Sequence, residues 1–305
     1  MKHVMIIGAV TAELVSRVKE MPKAEEEFHP LQSFSRISGF GWQTSQVFAA
    51  LRTPFILKTG TGEGVYGDLV REALRKAGLA VPRRTGIQGS TYTLVDEKGY
   101  AVPMAVPGSE YEFHAAEITP EELQDTGTIL FSGMEPALNE SSDLLHLLKG
   151  FGGQLVFCPD GRGVLLDKSV LEQLYQLGIM LYLSEEEAWI LNGRQNIDLI
   201  RAARSLYART HAPVVIWLKD GYALYVDEQQ ELTAGTQMPA CRDLSGLGNI
   251  QAAAFTAARS AGLAPAQALQ FAVTTAAWTA ASDAVVWSDA QAEQARDLLR
   301  QMILK

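Results

Sequence analysis

The sequence has little of what marks disulfide-linked or metal-chelating proteins. Its 305 residues contain two cysteines, Cys158 and Cys241, which lie far apart and have no paired spacing. Neither a disulfide framework nor a zinc motif is therefore indicated, and the chain fits a reducing compartment. The five histidines are scattered with no i, i+4 pair, so we interpret them as surface or structural residues rather than metal ligands.

Long apolar runs and basic clusters are absent as well. No apolar stretch reaches the roughly 18 to 20 residues that a membrane-spanning helix needs. The formal net charge is −9, and no dense group of lysines and arginines offers clustered cations to a phosphate backbone. Residues 4–10 are interpreted as a first strand rather than a signal peptide, because Glu13, Arg17 and Lys19 follow directly. We therefore expect a cytoplasmic protein with a small-molecule ligand and no nucleic-acid or membrane partner.

What is present is an alternation of short apolar runs with longer amphipathic stretches. The runs, rich in Val, Ile and Leu, lie at residues 3–10, 55–58, 128–131, 154–158, 179–183 and 213–218. The stretches that place apolar residues on one helical face lie at residues 68–75, 142–149 and 166–177. This alternation is typical of β-α-β units, so we predict a three-layer α/β fold with a mostly parallel central sheet, in a single domain spanning residues 1–305.

One region departs from that alternation. Residues 90–96 and 100–106 form two strand-like runs separated by Glu97-Lys98-Gly99, which predicts a hairpin. Residues 28–37 are a third candidate strand. Together they predict a small β lid, with strands within residues 12–38 and 90–106, standing apart from the main sheet. From Gly248 onward the chain becomes Ala-rich and helical, at residues 251–260, 265–281 and 289–303.

The segment before these helices is the most informative about chemistry. It is Asp243-Leu244-Ser245-Gly246-Leu247-Gly248-Asn249. Two glycines at this spacing let backbone N–H groups turn toward a ligand, and the helix N-terminus behind them adds a partial positive charge. The segment predicts an anion-binding loop. On spacing alone, a plain helix cap with a tight turn is an equal alternative.

This segment resembles the second signature of the PfkB, or ribokinase-like, carbohydrate kinases, Asp-Thr-Thr/Ser-Gly-Ala-Gly-Asp. Other segments resemble further elements of that family, in the same order over nearly the whole chain. On the substrate side, Gly8-Ala9-Val10-Thr11-Ala12-Glu13 is similar to the family's opening Gly-x-x-Asn-x-Asp. The segment Ser38-Gly39-Phe40-Gly41-Trp42-Gln43-Thr44-Ser45 resembles its first signature, Gly-Gly-x-x-x-Asn-x-Ala. The segment Thr61-Gly62-Glu63-Gly64-Val65-Tyr66-Gly67 resembles the element Val-Gly-Asp-Asp-x-Phe-Gly. Farther on, Phe157-Cys158-Pro159-Asp160-Gly161-Arg162 resembles the family element Asp-Pro-Asn-x-Arg. The segment Ser184-Glu185-Glu186-Glu187-Ala188 resembles the element Asn-x-x-Glu-Ala.

The resemblance implies a ribokinase-like fold and transfer of a phosphoryl group from ATP, with Mg²⁺, to a hydroxyl of a carbohydrate or nucleoside. It also implies a possible homodimer formed through the lid. The catalytic positions it implies are Gly246, Leu247, Gly248 and Asn249. The substrate positions are Thr11, Glu13, Gly39, Gln43 and Asp243. The nucleotide positions are Ser184, Lys219, Gly221 and Gly246, and the metal position is Glu187.

Asn249 stands where the family has the aspartate that accepts the proton of the attacking hydroxyl. An amide has no useful basicity, and loss of a general base typically costs about 10² to 10⁴ in rate. The first hypothesis is therefore a kinase that tolerates Asn249 with slow turnover, and the second is a pseudokinase that binds a ligand or regulates without turnover. A third is a kinase that recruits another base, with Asp243 and Glu13 as candidates.

Three further residues have two interpretations each. Glu187 is either linked to the metal or simply part of a charged first helical turn that the helix dipole favours. Trp42 either stacks on a substrate ring or packs at a helix start. Cys158 is either inert packing at a strand end or a reactive thiol, and burial favours the first.

Overall fold

The computed structural model describes residues 2–25, 27–82, 84–133, 138–161, 163–193 and 196–304, so Arg162 of the predicted Asp-Pro-Asn-x-Arg element lies outside the described residues. The strands are β1 (His3–Ile7), β2 (Thr11–Arg17), β3 (Gln32–Ser38), β4 (Phe55–Lys58), β5 (Thr61–Glu63), β6 (Arg84–Ile87), β7 (Ser90–Val95), β8 (Ala101–Val106), β9 (Thr126–Ser132), β10 (Gln154–Cys158), β11 (Met180–Ser184), β12 (Val214–Trp217), β13 (Tyr222–Val226) and β14 (Glu231–Gly235). The helices are α1 (Phe40–Leu51), α2 (Val65–Lys76), α3 (Pro120–Asp125), α4 (Asp143–Gly150), α5 (Lys168–Gln176), α6 (Glu185–Leu191), α7 (Leu199–Thr210), α8 (Leu247–Ser260), α9 (Pro265–Thr279) and α10 (Asp289–Ile303).

The central sheet has eight strands in the order β14-β13-β12-β11-β10-β9-β1-β4. Its strands are parallel from β12 to β4, and the two pairings at one edge, β12 with β13 and β13 with β14, are antiparallel. The predicted mostly parallel sheet is confirmed. Parallel strands are buried on both faces, which is why these strands appear in the sequence as continuous apolar runs.

Helices cover both faces of this sheet. Strand β1 shows the division, because Val4 and Ile6 contact one cluster of buried side chains while Met5 and Ile7 contact the other. The first cluster includes apolar residues of α1, α8, α9 and α10, and the second includes residues of α4, α5, α6 and α7. The three-layer arrangement follows from this alternation of side chains along each strand.

A second sheet, in the order β3-β2-β7-β8, forms the predicted lid. The hairpin of β7 and β8 is confirmed, with Ser90 opposite Val106 and Val95 opposite Ala101. The third lid strand begins at Gln32 rather than at residue 28, where the sequence had suggested its start. Pro30, which has no backbone N–H, interrupts any ladder at that point. None of the described helices is both long enough and apolar enough to cross a membrane.

Arg36, on lid strand β3, joins the lid to the main body through buried ion pairs. Its Nε donates to Glu13 Oε2 at 2.7 Å, and its Nη1 donates to Asp243 Oδ2, also at 2.7 Å. Nη1 also donates to the backbone carbonyl of Asp283 at 2.8 Å. The side chains of Arg36 and Glu13 are 7% and 5% exposed, and that of Asp243 is fully buried. One cation therefore pairs with two buried carboxylates, one from the lid and one from the loop before α8.

A second arginine of the lid contacts the same loop. Arg17, on β2, donates to the carbonyl of Arg242 at 2.9 Å and forms an ion pair with the side chain of Asp283. Because residues 242–243 and 283 are held by both arginines, the lid is fixed to the segment that leads into α8.

The ion pair also sets the protonation of Glu13. Burial by itself would raise the pKa of the Glu13 carboxyl. Hydrogen bonds from Arg36, Thr93 and Ser38, together with the charge of Arg36, outweigh the burial, so the pKa lies below its usual value. Because the pKa of Glu13 is lower in the folded protein than in the unfolded chain, the ionised carboxylate stabilises the fold. This stabilisation is fully present above the unfolded-state pKa of about 4.3, and it is lost as the pH falls through the folded-state pKa.

We predict that Arg36→Met lowers the free energy of unfolding by about 3 to 5 kcal/mol at pH 7, because it leaves two buried carboxylates without a countercharge. Urea denaturation followed by circular dichroism measures this loss. Arg75→Met is the control, since Arg75 pairs with Glu72 on the exposed face of α2 and its loss should cost at most about 1 kcal/mol.

The same measurement has a pH signature. The difference in stability between the native protein and Arg36→Met should narrow as pH falls below about 4.3, where Glu13 begins to protonate in the unfolded chain. A difference that stays constant from pH 7 to pH 3.5 would contradict the assignment of Glu13 to the ion pair.

Candidate active site

A cavity of about 470 Å³ lies between the lid and the main sheet. Its floor comes from segments at the carboxyl ends of four parallel strands, where Ala9 follows β1, Gly133 follows β9, Asp160 follows β10 and Lys219 follows β12. Parallel α/β sheets bind ligands at the carboxyl ends of their strands, because the loops there are free to vary while the sheet holds them in place. The location marks this cavity as the candidate active site.

The glycine loop closes one wall of the cavity. Gly246 caps α8 with φ at +69°, a left-handed conformation that favours glycine. A side chain at this position would also collide with the amide of Gln43, 2.0 Å from the ideal Cβ. At Gly248 a Cβ would meet the ring of Trp217 at 2.6 Å. Both glycines are therefore required by close packing, and they bring the positive end of the α8 dipole to the cavity.

Asn249, in the first turn of α8, sits at the meeting point of three elements. Its Nδ2 donates to Gln43 Oε1 of α1 at 2.9 Å and to Asp160 Oδ1 of the loop after β10 at 3.3 Å. Gln43 and Asn249 are both buried, whereas Asp160 is exposed to the cavity. Two predicted site residues thus contact each other, and a carboxylate that was not among the predicted site residues joins them.

Glu13 lines the cavity, but its carboxylate is already engaged. Oε2 accepts from Arg36 and Oε1 accepts from Thr93 Oγ1 at 2.5 Å. Asp243 is engaged in the same way, since Oδ2 accepts from Arg36 and Oδ1 accepts from the backbone of Ser245 at 2.8 Å. Both carboxylates are therefore held in ion pairs with Arg36.

The cavity gathers most of the predicted substrate and catalytic residues. Those that line it are Thr11, Glu13, Gly39, Gln43, Lys219, Gly246 and Asn249. Four others stand behind or beside this wall: Leu247 packs into the core, Gly248 lies under Trp217, Asp243 is buried, and Gly221 lies in the turn between β12 and β13. For Leu247 and Gly248 the helical period explains the difference from Asn249, because successive positions of a first turn face different directions.

Ser184 and Glu187 form the start of α6. The Ser184 side chain accepts from the backbone of Glu187, and Glu187 Oε2 accepts from the backbone of Ser184 at 2.7 Å, which makes a capping box. Glu187 Oε1 accepts from the backbone of Gly161 at 2.7 Å. Glu187 therefore holds the loop of Asp160 in place, whatever else it binds.

Metal-ligand clusters are missing from the described part of the chain, where no three His, Cys, Asp or Glu residues are placed to hold an ion together. Mg²⁺ keeps several waters and often uses only one or two carboxylates plus the phosphates of its substrate. Glu187, at this end of the sheet, would suit an ion that arrives with a nucleotide, and the described residues form no metal cage of their own.

Two residues with alternative interpretations have packing roles in this structure. Trp42 packs on Val10, Ala12, Val70 and Leu74 beneath the lid and does not line the cavity. Burial raises the pKa of the Cys158 thiol well above its usual value, and the nearby carboxylates of Glu187 and Asp160 add to the effect. A thiol of this kind is not reactive at neutral pH.

Sequence reasoning missed several residues of the site, among them Arg36 and Asp160. Arg36 gave no signal, because it lies in the middle of a lid strand and its partners are distant in sequence. Asp160 did give one, since it occupies the asparagine position of an element that resembles Asp-Pro-Asn-x-Arg. On the lid side the cavity is lined by Ala101, Pro103 and Ala105, on one face of β8, and by Tyr100 just before that strand; the hairpin alone did not specify these residues.

Comparison with solved structures finds this architecture in several kinases. The adenosine kinase of Sinorhizobium meliloti matches with a TM-score of 0.84 at 13% identity, over 97% of this chain and 99% of that one. The ribokinase of Thermotoga maritima matches with a TM-score of 0.79 at 20% identity, over 97% and 100%. The Arabidopsis thaliana ribokinase, complexed with ribose and ATP, matches with a TM-score of 0.73 at 15% identity, over 98% and 99%.

Comparisons based on sequence gave no match for this chain. No protein-family model matches it, and no curated protein is similar enough to match. The structural matches cover both partners almost completely, so the likeness concerns the whole architecture, including the lid, rather than one shared motif. The chain has the ribokinase fold.

Proposed function

We propose that the protein is an ATP-dependent kinase of the PfkB, or ribokinase-like, family that phosphorylates a hydroxyl of a carbohydrate or nucleoside. The observation that carries the proposal is the cavity beneath the lid, in which a glycine loop at the N-terminus of α8 faces polar side chains of the lid and α1. A helix N-terminus favours the charge of a phosphoryl group, and polar side chains opposite it can orient a hydroxyl.

The acceptor side of the proposed site lies under the lid. Thr11, Glu13, Ser38 and Gln43 offer hydroxyl, carboxylate and amide groups to the cavity. The lid contributes Ala101, Pro103 and Ala105, which are small and exclude water without adding polar groups. A ligand with several hydroxyls suits this combination, because polar groups fix its orientation while the apolar ceiling covers its carbon skeleton.

The nucleotide side lies toward the antiparallel edge of the sheet. Lys219 lines the cavity after β12, and its Nζ donates to Glu186 at 2.8 Å on the surface. In the proposal Lys219 turns toward phosphate oxygens, while Ser184 and Gly221 lie along the path of the nucleotide. Glu187 would hold Mg²⁺, which would supply positive charge to the phosphates.

A ligand-binding pseudokinase is the second candidate, and two observations favour it. Both carboxylate oxygens of Glu13 are taken by Arg36 and Thr93, which weakens its role as a ligand for hydroxyls. Asn249 has no useful basicity. Against these stands the loop itself, in which Gly246 and Gly248 keep a conformation that a side chain would destroy.

We predict that the native protein releases ADP from Mg²⁺-ATP in the presence of at least one member of a panel of sugars, sugar phosphates, polyols and nucleosides. A coupled ADP assay, read against ATP hydrolysis without acceptor, measures this. Silence with every acceptor, together with ligand binding detected by thermal shift, would replace the kinase with the pseudokinase.

The loop provides a matched pair of variants for that assay. Gly246→Ala should lower turnover at least about tenfold, because the new Cβ meets Gln43 and the φ of +69° is costly for alanine. Gly262→Ala, at the other end of α8, has a φ of +95° but open space around it, so it should keep native turnover and lose only about 1 to 2 kcal/mol of stability. Equal loss of activity in the two variants would contradict a role of the loop in phosphoryl transfer.

We further propose that two copies associate through the outer face of the lid. Val102, Met104 and Val106 on β8 are each more than half exposed, and Tyr92 stands opposite Met104 on β7. This apolar row lies on an edge strand, where association hides both side chains and unpaired backbone groups.

For this interface we predict a native dimer in analytical ultracentrifugation and a monomer for Met104→Glu, because a charge in the centre of the row cannot be buried without a partner. Leu165→Glu is the control, since Leu165 is also exposed but belongs to a short 3-10 helix after β10 and not to the lid sheet. A native monomer, or a dimer that survives Met104→Glu, would exclude this face.

A further inference from the structure

The start of α8 is surrounded by three carboxylates, and they differ in what they contact. Glu13 and Asp243 are both buried and paired with Arg36. Asp160 lines the cavity, is exposed to it, and accepts a hydrogen bond from Asn249. Two of these carboxylates line the cavity, Glu13 and Asp160, and Arg36 holds Glu13 in an ion pair.

Several contacts hold Asp160 in this position. Its backbone is left-handed, with φ at +54°, a conformation that aspartate tolerates better than most residues. The following residue, Gly161, also has a positive φ, and its N–H donates to the buried carboxylate of Glu187. The N–H of Gly163 donates to the carbonyl of Pro159 at 2.8 Å, which closes the turn around Asp160. The carboxylate is thus presented by a loop that is fixed at both ends.

The position of Asp160 gives the replacement at Asn249 a different meaning. The signature that Asn249 belongs to resembles one that ends in aspartate, and the element that Asp160 belongs to resembles one with asparagine at that place. In the fold these two positions touch, with Asn249 Nδ2 at 3.3 Å from Asp160 Oδ1. Compared with the motifs that the two segments resemble, the carboxylate stands at residue 160 and the amide at residue 249, the reverse of the motif order. The pair therefore still contains one carboxylate and one amide.

We propose that Asp160 is the general base of the phosphoryl transfer, with Asn249 orienting its carboxylate and the acceptor hydroxyl; this inference rests on the proposed kinase function. In the reaction, Asp160 accepts the proton of the acceptor hydroxyl while that oxygen bonds to the γ-phosphorus of ATP. The bond from the γ-phosphorus to the bridging oxygen breaks, and its electron pair leaves with ADP. Asp160 then gives its proton to solvent, so the sum is acceptor plus ATP giving phosphorylated acceptor, ADP and a proton.

Four proteins test the assignment: native, Asp160→Asn, Asn249→Asp and the double variant Asp160→Asn/Asn249→Asp. The assay is ADP release from Mg²⁺-ATP with an acceptor saturating for the native protein. Asp160→Asn should lower kcat by about 10² to 10⁴ while the KM for ATP changes less than about threefold. The double variant returns a carboxylate to the contact from the other side and should exceed Asp160→Asn at least about tenfold.

The single variant Asn249→Asp should not exceed the native protein, because it sets two carboxylates within hydrogen-bonding distance of each other, and they repel. Asp289→Asn, an exposed carboxylate in the first turn of α10, is the matched control and should keep native kcat. Circular dichroism melting of each variant separates loss of chemistry from loss of fold.

The outcomes separate the two levels of the proposal. Native turnover with undiminished kcat in Asp160→Asn would overturn the base assignment and leave the kinase intact. A double variant no more active than Asp160→Asn would overturn it as well, since a carboxylate at residue 249 would then fail to replace the one removed from residue 160. Activity only in Asn249→Asp would place the base at residue 249 and contradict Asp160, and silence in all four proteins would contradict both the kinase and its base.

Discussion

The buried charge of Arg36 is the interaction on which the cavity depends. It joins Glu13 of the lid to Asp243 of the loop that leads into α8, and the same carboxylate of Asp243 also accepts from the backbone of Ser245. Removing a charge from water costs several kcal/mol unless it is paired, so the three groups can be buried only together. The lid, the glycine loop and the space between them are therefore parts of one electrostatic arrangement, and the position of the lid over the cavity is a consequence of charge neutralisation rather than of apolar contact alone.

Much of the fold could be predicted because its central strands are buried on both faces. The apolar run at residues 154–158 coincides with β10 for that reason. The edge strand β14, with sequence Glu-Leu-Thr-Ala-Gly, was not predicted, because a strand at the edge alternates polar and apolar residues over a short length and resembles a loop. The strands β5 and β6 were missed for the same reason, since three or four residues containing glycine carry no period.

The site was predictable only as far as local motifs reach. The loop from Asp243 to Asn249 could be recognised because glycine spacing before a helix is a local property. Which of its residues face the cavity could not, because Leu247 and Asn249 belong to the same turn yet one enters the core and the other meets Gln43. The contact of Arg36 with Asp243 joins residues 207 positions apart, and no periodicity or spacing in a single sequence reports such a pairing.

The pair of Asp160 and Asn249 shows why motif positions have to be considered together. Taken alone, asparagine in place of aspartate at the end of a glycine loop indicates a lost base. In the fold, however, the neighbouring position carries an aspartate, and two carboxylates at 3.3 Å could not both stay ionised, whereas an amide and a carboxylate at that distance form a hydrogen bond. The two departures therefore constrain each other: a carboxylate at residue 160 favours an amide at residue 249. A site that had merely decayed would have no reason to keep the charge complementary across the contact.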